Sequence, residues 1–234
     1  MSARASQQAE AVAFDCDGTI ADTESLSEIA WAATLAARGI PWTAGDFAVL
    51  VGRPFAANWA HFSARGDLGE EETFRSELRG RFRELFDTGL EVHDDAVAVM
   101  RSAAEAGLGI AVVSSSTRDH IERVLALAGV DGLVQHIVAS GDTVGHKPGP
   151  DPYVAACALI GVPPSRTVGI EDTPTGVRSS RSAGLWTVAV RRAHAVPELD
   201  DLAHVVVDRL EVGHLTIDAS HRAASADGPG PTDD

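Results

Sequence analysis

Six short apolar runs punctuate the chain: "AVAF" at 11–14, "LGIAVV" at 108–113, "HIVA" at 136–139, "TVGI" at 167–170, "WTVAV" at 186–190 and "HVVV" at 204–207. They are nearly continuous rather than alternating, the pattern of parallel strands covered on both faces. Between them lie longer stretches, 94–106, 118–128, 152–160 and 175–183, that predict helices. Strands and helices in alternation over this length predict an α/β fold built on a doubly wound parallel sheet.

Residues 22–93 break the pattern, because they contain no strand-like run. A helix is predicted over 24–38, stopped by Gly39 with Pro41 beyond. Thr43-Ala44-Gly45-Asp46 resembles a capping box that opens a short helix. A third helix is predicted over 55–64, and 70–86 carries Phe74, Leu78, Phe82 and Leu85 as an amphipathic stripe. An all-helical module of about 70 residues is therefore inserted directly after the first strand. Insertions of this length at a strand end usually serve function, which favours a lid over an unrelated second domain. Residues 1–9 are polar and read as a mobile N-terminus, and 218–234, rich in Gly, Pro, Ser and Asp, as a disordered tail. That leaves 10–21 and 94–217 for the α/β core. Trp31, Trp42 and Trp59 of the insertion are expected to pack its interior.

With 44% hydrophobic residues in 234, a full core is available. The net charge of −15 argues against non-specific nucleic-acid binding and against anionic membrane surfaces. An anionic substrate would need a few local cations or a metal to override that field. Cys16 and Cys157 are the only cysteines, too few for a disulfide framework. No apolar stretch approaches 18 residues and the first ten residues are polar, so a cytoplasmic protein is expected.

The candidate chemistry follows the strands, where ligands of open α/β sheets bind. Asp15-Cys16-Asp17-Gly18-Thr19 follows the first run and Ser114-Ser115-Ser116 the second; His146-Lys147-Pro148-Gly149-Pro150-Asp151 comes soon after the third and Glu171-Asp172-Thr173 after the fourth. Two carboxylates one residue apart at the mouth of a buried strand repel each other. Each costs several kcal/mol to desolvate unless positive charge arrives. Carboxylates suit a divalent cation such as Mg²⁺. Hydroxyls, helix-start N–H groups and a lysine suit a phosphoryl group. Cys16, between the two aspartates, fits as a small packing residue. The nine histidines show no metal-ligand spacing, and none is assigned a role.

In order, "DCDGT", "SSS", "KPGPD" and "GIEDT" resemble the four motifs of the haloacid dehalogenase superfamily, in the subfamily with a helical cap after the first motif. The resemblance covers roughly residues 10–210 and implies a Rossmannoid core with residues 22–93 as the cap. It implies Asp15 as a nucleophile that forms an aspartyl-phosphate, and Asp17 as general acid and then base. It implies Thr19, Ser114, Ser115 and Lys147 around the phosphoryl oxygens, and Mg²⁺ held by Asp15, the Asp17 carbonyl, Glu171 and Asp172. Glu24 and Arg53 are the candidate cap contacts to substrate. Residues 22–93 contain no lysine, which removes the Schiff-base phosphonate chemistry of the family. The second aspartate and the acidic pair at 171–172 argue against dehalogenation. The resulting expectation is a Mg²⁺-dependent phosphatase for a small phosphorylated metabolite, of the sugar-phosphate kind. A phosphosugar mutase similar to β-phosphoglucomutase is the alternative, although Ser27 stands where those enzymes carry histidine. A phosphometabolite-binding protein without turnover is the third reading.

Overall fold

The computed structural model describes residues 6–50, 55–192 and 197–218. The chain divides into two compact units, Asp22–Glu91 and the sequence on either side of it. The insertion thus ends at Glu91, two residues before the boundary expected at 93.

The α/β unit opens with β1 (Ser6–Gln8) and β2 (Ala11–Phe14). All four residues of β2 are buried, as a strand covered on both faces requires. The chain then leaves for the insertion and returns beside its own exit. Ala21 and Val92 form an antiparallel bridge, and the His93 N–H donates to the Ile20 carbonyl at 2.9 Å. One residue further out, the Asp22 N–H donates to the Glu91 carbonyl at 2.8 Å.

The inserted unit is all helical: α1 (Thr23–Ala36), α2 (Asp46–Leu50), α3 (Phe55–Ser63) and α4 (Glu71–Gly89). Asp22 caps α1 by accepting the Ser25 N–H at 2.9 Å. Asp46 accepts the Thr43 N–H at 2.7 Å, half of the capping box read from the sequence. Trp31, Leu35, Phe62 and Phe74 form the centre of its core, with Trp42, Phe55 and Trp59 packed on the margin. The Trp31 ring lies 5.2 Å from Phe62 and 5.4 Å from Phe74, within the range of favourable aromatic pairs. In α4, Phe74 and Phe86 are buried, whereas Leu78, Phe82 and Leu85 are half-buried.

The remaining elements are α5 (Asp94–Glu105), β3 (Gly109–Val113), α6 (Arg118–Ala128), β4 (His136–Val138), α7 (Asp151–Ile160) and β5 (Thr167–Glu171). They are followed by α8 (Pro174–Ser182), β6 (Trp186–Val190), α9 (Leu199–Leu202), β7 (Val205–Val207) and β8 (Thr216–Asp218). Six strands form one parallel sheet in the order β4-β3-β2-β5-β6-β7. β2 sits between β3 and β5, where the strand order reverses, and this switch point opens a crevice at the carboxyl ends. Tyr153, Ala156 and Cys157 of α7 pack against Ala13, Ala111, Val113 and Leu185.

β1 and β8 form a separate antiparallel ladder, pairing Ser6 with Asp218 and Gln8 with Thr216. Residues 6–8 and 218, read from the sequence as belonging to mobile ends, are thus in strands. The reason is long-range: the ladder is anchored by Leu215 and Ile217, which are buried, and by the Ala9 N–H, which donates to the Leu215 carbonyl at 2.9 Å. Among the described residues no helix is long and apolar enough to cross a membrane.

A buried ion pair braces the loop after β2. Arg192 donates to Asp95 at 3.0 Å and to the Thr19 carbonyl at 2.9 Å. Asp95, only 3% exposed, also accepts the Leu210 N–H at 2.8 Å. Burial pushes the Asp95 carboxyl up, but the Arg192 and Leu210 hydrogen bonds outweigh it and hold it below the usual value. A depressed folded-state pKa gives stability above the unfolded value, near 4, that is lost as pH falls through the folded value. Asp95→Asn is therefore expected to cost about 3 kcal/mol in urea unfolding at neutral pH. The gap to the parent should shrink once the pH drops below about 4.

Candidate active site

The switch point gathers residues from four loops. β2 ends at Phe14 and places Asp15 at the crevice, 7% exposed, with its N–H donating to the Ile170 carbonyl at 2.8 Å. β3 delivers Ser114, 6% exposed. β5 ends on Glu171, which is 1% exposed, and Asp172 follows. Lys147 arrives from the loop before α7 and meets all three strand ends. Its Nζ donates to Asp15 Oδ1 at 2.6 Å, to Glu171 Oε1 at 2.6 Å and to the Val113 carbonyl at 3.0 Å.

Two glycines make the close approach of the carboxylates feasible. Gly18 has φ +81°, and a Cβ there would collide with the Asp172 carboxylate. A Cβ on Gly176, in the first turn of α8, would collide with the Glu171 carboxylate. Thr173 caps that helix, accepting the Gly176 N–H at 3.1 Å.

Carboxylate oxygens of Asp15, Glu171 and Asp172 lie within 4.8 Å of one another. Lys147 supplies one positive charge against these three negative ones. The electrostatics reflect the imbalance. Burial and the neighbouring Glu171 carboxylate push the Asp15 carboxyl well above its usual value, in spite of Lys147. Lys147 itself is raised: burial disfavours its charge, but Asp15 and Glu171 more than restore it. A divalent cation with oxygen ligands would remove the two charges left over, and the donor set fits one. Asp15, Glu171 and Asp172 are the side chains that could hold it, each with at least one oxygen already bonded within the protein. Glu171 Oε1 already accepts from Lys147 and from the buried Tyr153 hydroxyl at 2.7 Å.

Other residues singled out from the sequence fall as follows. Thr19, expected near phosphate, is fully buried and donates its hydroxyl to Asp172 Oδ1 at 3.0 Å. Ser115 is exposed, and it is Ser114 and Ser116 that turn toward Asp17, donating to its Oδ2 at 3.0 and 2.7 Å. Cys16 is buried, and burial with the flanking aspartates pushes its thiol up, which makes it inert. Glu24 lies half-buried in α1 of the helical unit, and Arg53 falls outside the described residues.

Two residues of the site, His120 and Tyr153, carried no signal read from the sequence, and a third, Ser116, was read only as part of the serine run. His120 Nε2 lies 2.7 Å from Asp17 Oδ1. Its imidazole is raised overall: burial lowers it, but the hydrogen bond and charge of Asp17 prevail. Ser116 joins it on the same carboxylate. Tyr153, fully buried, backs Glu171, and burial with that carboxylate pushes the phenol well above its usual value. The one available cue was position, since His120 is the third residue of the helix that follows the serine loop.

The geometry and the sequence order of these loops agree with a comparison against protein families, in which residues 9–184 match haloacid dehalogenase-like hydrolases. The chain belongs to the haloacid dehalogenase-like hydrolase family. It is 31% identical to the N-acetylmuramic acid 6-phosphate phosphatase of Pseudomonas aeruginosa, over 85% of this chain and 90% of that one. It is 33% identical to the β-phosphoglucomutase of Mycobacterium bovis, over 79% and 81%. Among solved structures, a mutant of CbbY from Rhodobacter sphaeroides in complex with xylulose 1,5-bisphosphate superposes with a TM-score of 0.72 at 26% identity, covering 86% of this chain and 94% of that one. The parallel sheet with an inserted helical unit is thus the architecture of the hydrolase family.

Lys147 is the group whose removal the site should tolerate least. Lys147→Met leaves Asp15 and Glu171 facing each other without a buried counter-charge, and is expected to cost about 3 to 5 kcal/mol in urea unfolding without metal. The folded-state value of the Asp15 carboxyl, already raised, would then lie further above the unfolded one, and stability present at acid pH is lost as pH rises. The deficit should therefore be larger at pH 7 than at about pH 5.

Proposed function

We propose that this phosphoric monoester hydrolase is a Mg²⁺-dependent phosphatase of a small phosphorylated metabolite, of the sugar-phosphate kind, working through an aspartyl-phosphate on Asp15. The observation that carries the reading is the Lys147 ammonium, bonded at once to Asp15 and Glu171 at 2.6 Å beside Asp172. A nucleophilic carboxylate must approach an anionic phosphoryl group. Two unit charges 4 Å apart repel by about 4 kcal/mol at an effective dielectric near 20. Lys147 offsets part of that repulsion from the chain's own resources. A bound Mg²⁺ would supply the rest by neutralising phosphoryl charge.

Asp15 attacks phosphorus while Asp17 gives a proton to the departing oxygen. Asp17 then takes a proton from water as the water attacks the aspartyl-phosphate. Lys147 and Ser114 hold the phosphoryl oxygens. The relatives support a sugar-phosphate substrate: one is named for N-acetylmuramic acid 6-phosphate, and CbbY binds a xylulose bisphosphate. The mutase relative supports a second reading, in which the phosphoryl group is returned to the sugar rather than to water.

The test is phosphate release from a panel of sugar phosphates with Mg²⁺ and with chelator, alongside isomerisation of β-glucose 1-phosphate supplied with its bisphosphate. Chelator-sensitive release is expected. Asp15→Asn should abolish it, and Asp17→Asn should lower turnover by about 10²- to 10⁴-fold. Hydrolysis that persists in Asp15→Asn would refute the covalent route, and isomerisation without net release would establish the mutase.

A further inference from the structure

Asp17 is the proton-transfer group of the proposed reaction, and its carboxylate does not stand free. Oδ2 accepts from Ser114 at 3.0 Å and from Ser116 at 2.7 Å, and Oδ1 lies 2.7 Å from His120 Nε2. The two oxygens are therefore held by different kinds of partner. Ser114 is also the hydroxyl expected to hold the phosphoryl group, so substrate competes for it. The contact of His120 falls on the opposite oxygen.

The scaffold holds this imidazole in place. Ile121, Val124 and Leu125 of α6 are buried and fix the helix against the core. The loop before it is tied down on both sides: the Ser116 N–H donates to Ser114 Oγ at 3.0 Å, and the Ser140 N–H donates to the Ser116 carbonyl at 2.9 Å. The His120 side chain is 20% exposed, and that of Asp17 23%, so neither is loosely solvated.

We propose that His120 is a positioning residue for proton transfer: it grips Asp17 Oδ1 and so fixes the rotation of the carboxyl, with Oδ2, the oxygen that Ser114 and Ser116 contact, turned to the leaving oxygen. The inference rests on the phosphatase reading above. In the first half of the reaction the P–O bond to the leaving group breaks as the bond from Asp15 to phosphorus forms, and the proton on Asp17 Oδ2 passes to the leaving oxygen. In the second half, water gives a proton back to Asp17 as its oxygen bonds phosphorus and the Asp15 carboxylate is released. A carboxyl free to rotate would present its proton to the leaving oxygen only part of the time. Misplacement of a reacting group by about 1 Å can cost on the order of 100-fold.

The consequence is a dependence on the leaving group. Expulsion of 4-nitrophenolate, a weakly basic anion, needs little help from an acid, whereas phenolate, more basic, needs more. The experiment compares kcat/KM for phenyl phosphate and for 4-nitrophenyl phosphate in the Mg²⁺-loaded parent and in His120→Ala, His120→Phe and His120→Gln. The ratio of the two values cancels the fraction of active protein, so a partly unfolded variant still gives a reading. His120→Ala and His120→Phe are expected to shift the ratio against phenyl phosphate by about 10-fold or more, a part of what a whole general acid contributes. His120→Gln, whose amide nitrogen approximates Nε2, should return most of the shift. An unchanged ratio in all three variants would overturn the inference while leaving the phosphatase reading intact. Aryl phosphate hydrolysis that survives Asp15→Asn would overturn both.

Discussion

Lys147 is the point on which the site depends. Its ammonium is buried and bonded to carboxylates from two strand ends and to the carbonyl that closes a third. Buried ions are costly to desolvate, and only close geometry with saturating hydrogen bonds recovers that cost. Each supporting feature can be traced to this requirement. Tyr153 fills the remaining demand of Glu171 Oε1. Gly176 lets the Glu171 carboxylate lie against the backbone of α8, and Gly18 does the same for Asp172. The parallel order β3-β2-β5 brings the three strand ends side by side, so one lysine can reach all of them.

The lysine does not finish the work of neutralisation. Three carboxylates lie within 4.8 Å of one another and one ammonium bonds two of them, and the raised Asp15 carboxyl records the excess. The protein thus carries a standing deficit of positive charge at one spot on an otherwise strongly acidic chain, whose net charge is −15. Such a deficit is one that a divalent cation could fill locally, in spite of the sign of the chain as a whole.

Much of this was legible in the sequence because its cause was local. Apolar runs covered on both faces read directly as strands, and acidic, hydroxyl and lysine residues followed them in family order. The capping box of Thr43 and Asp46 and the stripe through Phe74 likewise arise within a few residues. What escaped depended on distant partners. Ser6–Gln8 has no apolar pattern of its own and becomes a strand only through its ladder with Thr216–Asp218. His120 is 103 residues from Asp17, and Tyr153 is 18 from Glu171, so no local spacing could pair them. Thr19 is the opposite case: its position in the motif suggested phosphate, and its buried hydroxyl is bonded to Asp172, a partner 153 residues away.

The neck of the insertion has a consequence beyond this chain's own chemistry. Ala21 bridges Val92 and Asp22 bonds Glu91, so the two crossings run together as a short ribbon. The entropy of closing a long excursion grows only with the logarithm of its length, and the ribbon holds its ends together. A segment attached this way behaves as a cassette. Its aromatic core can be rewritten, or its helices exchanged, without disturbing the register of β2, β3 and β5. The strand ends that carry Asp15, Ser114 and Glu171 stay fixed through such a change, and the neck is the seam along which that exchange would occur.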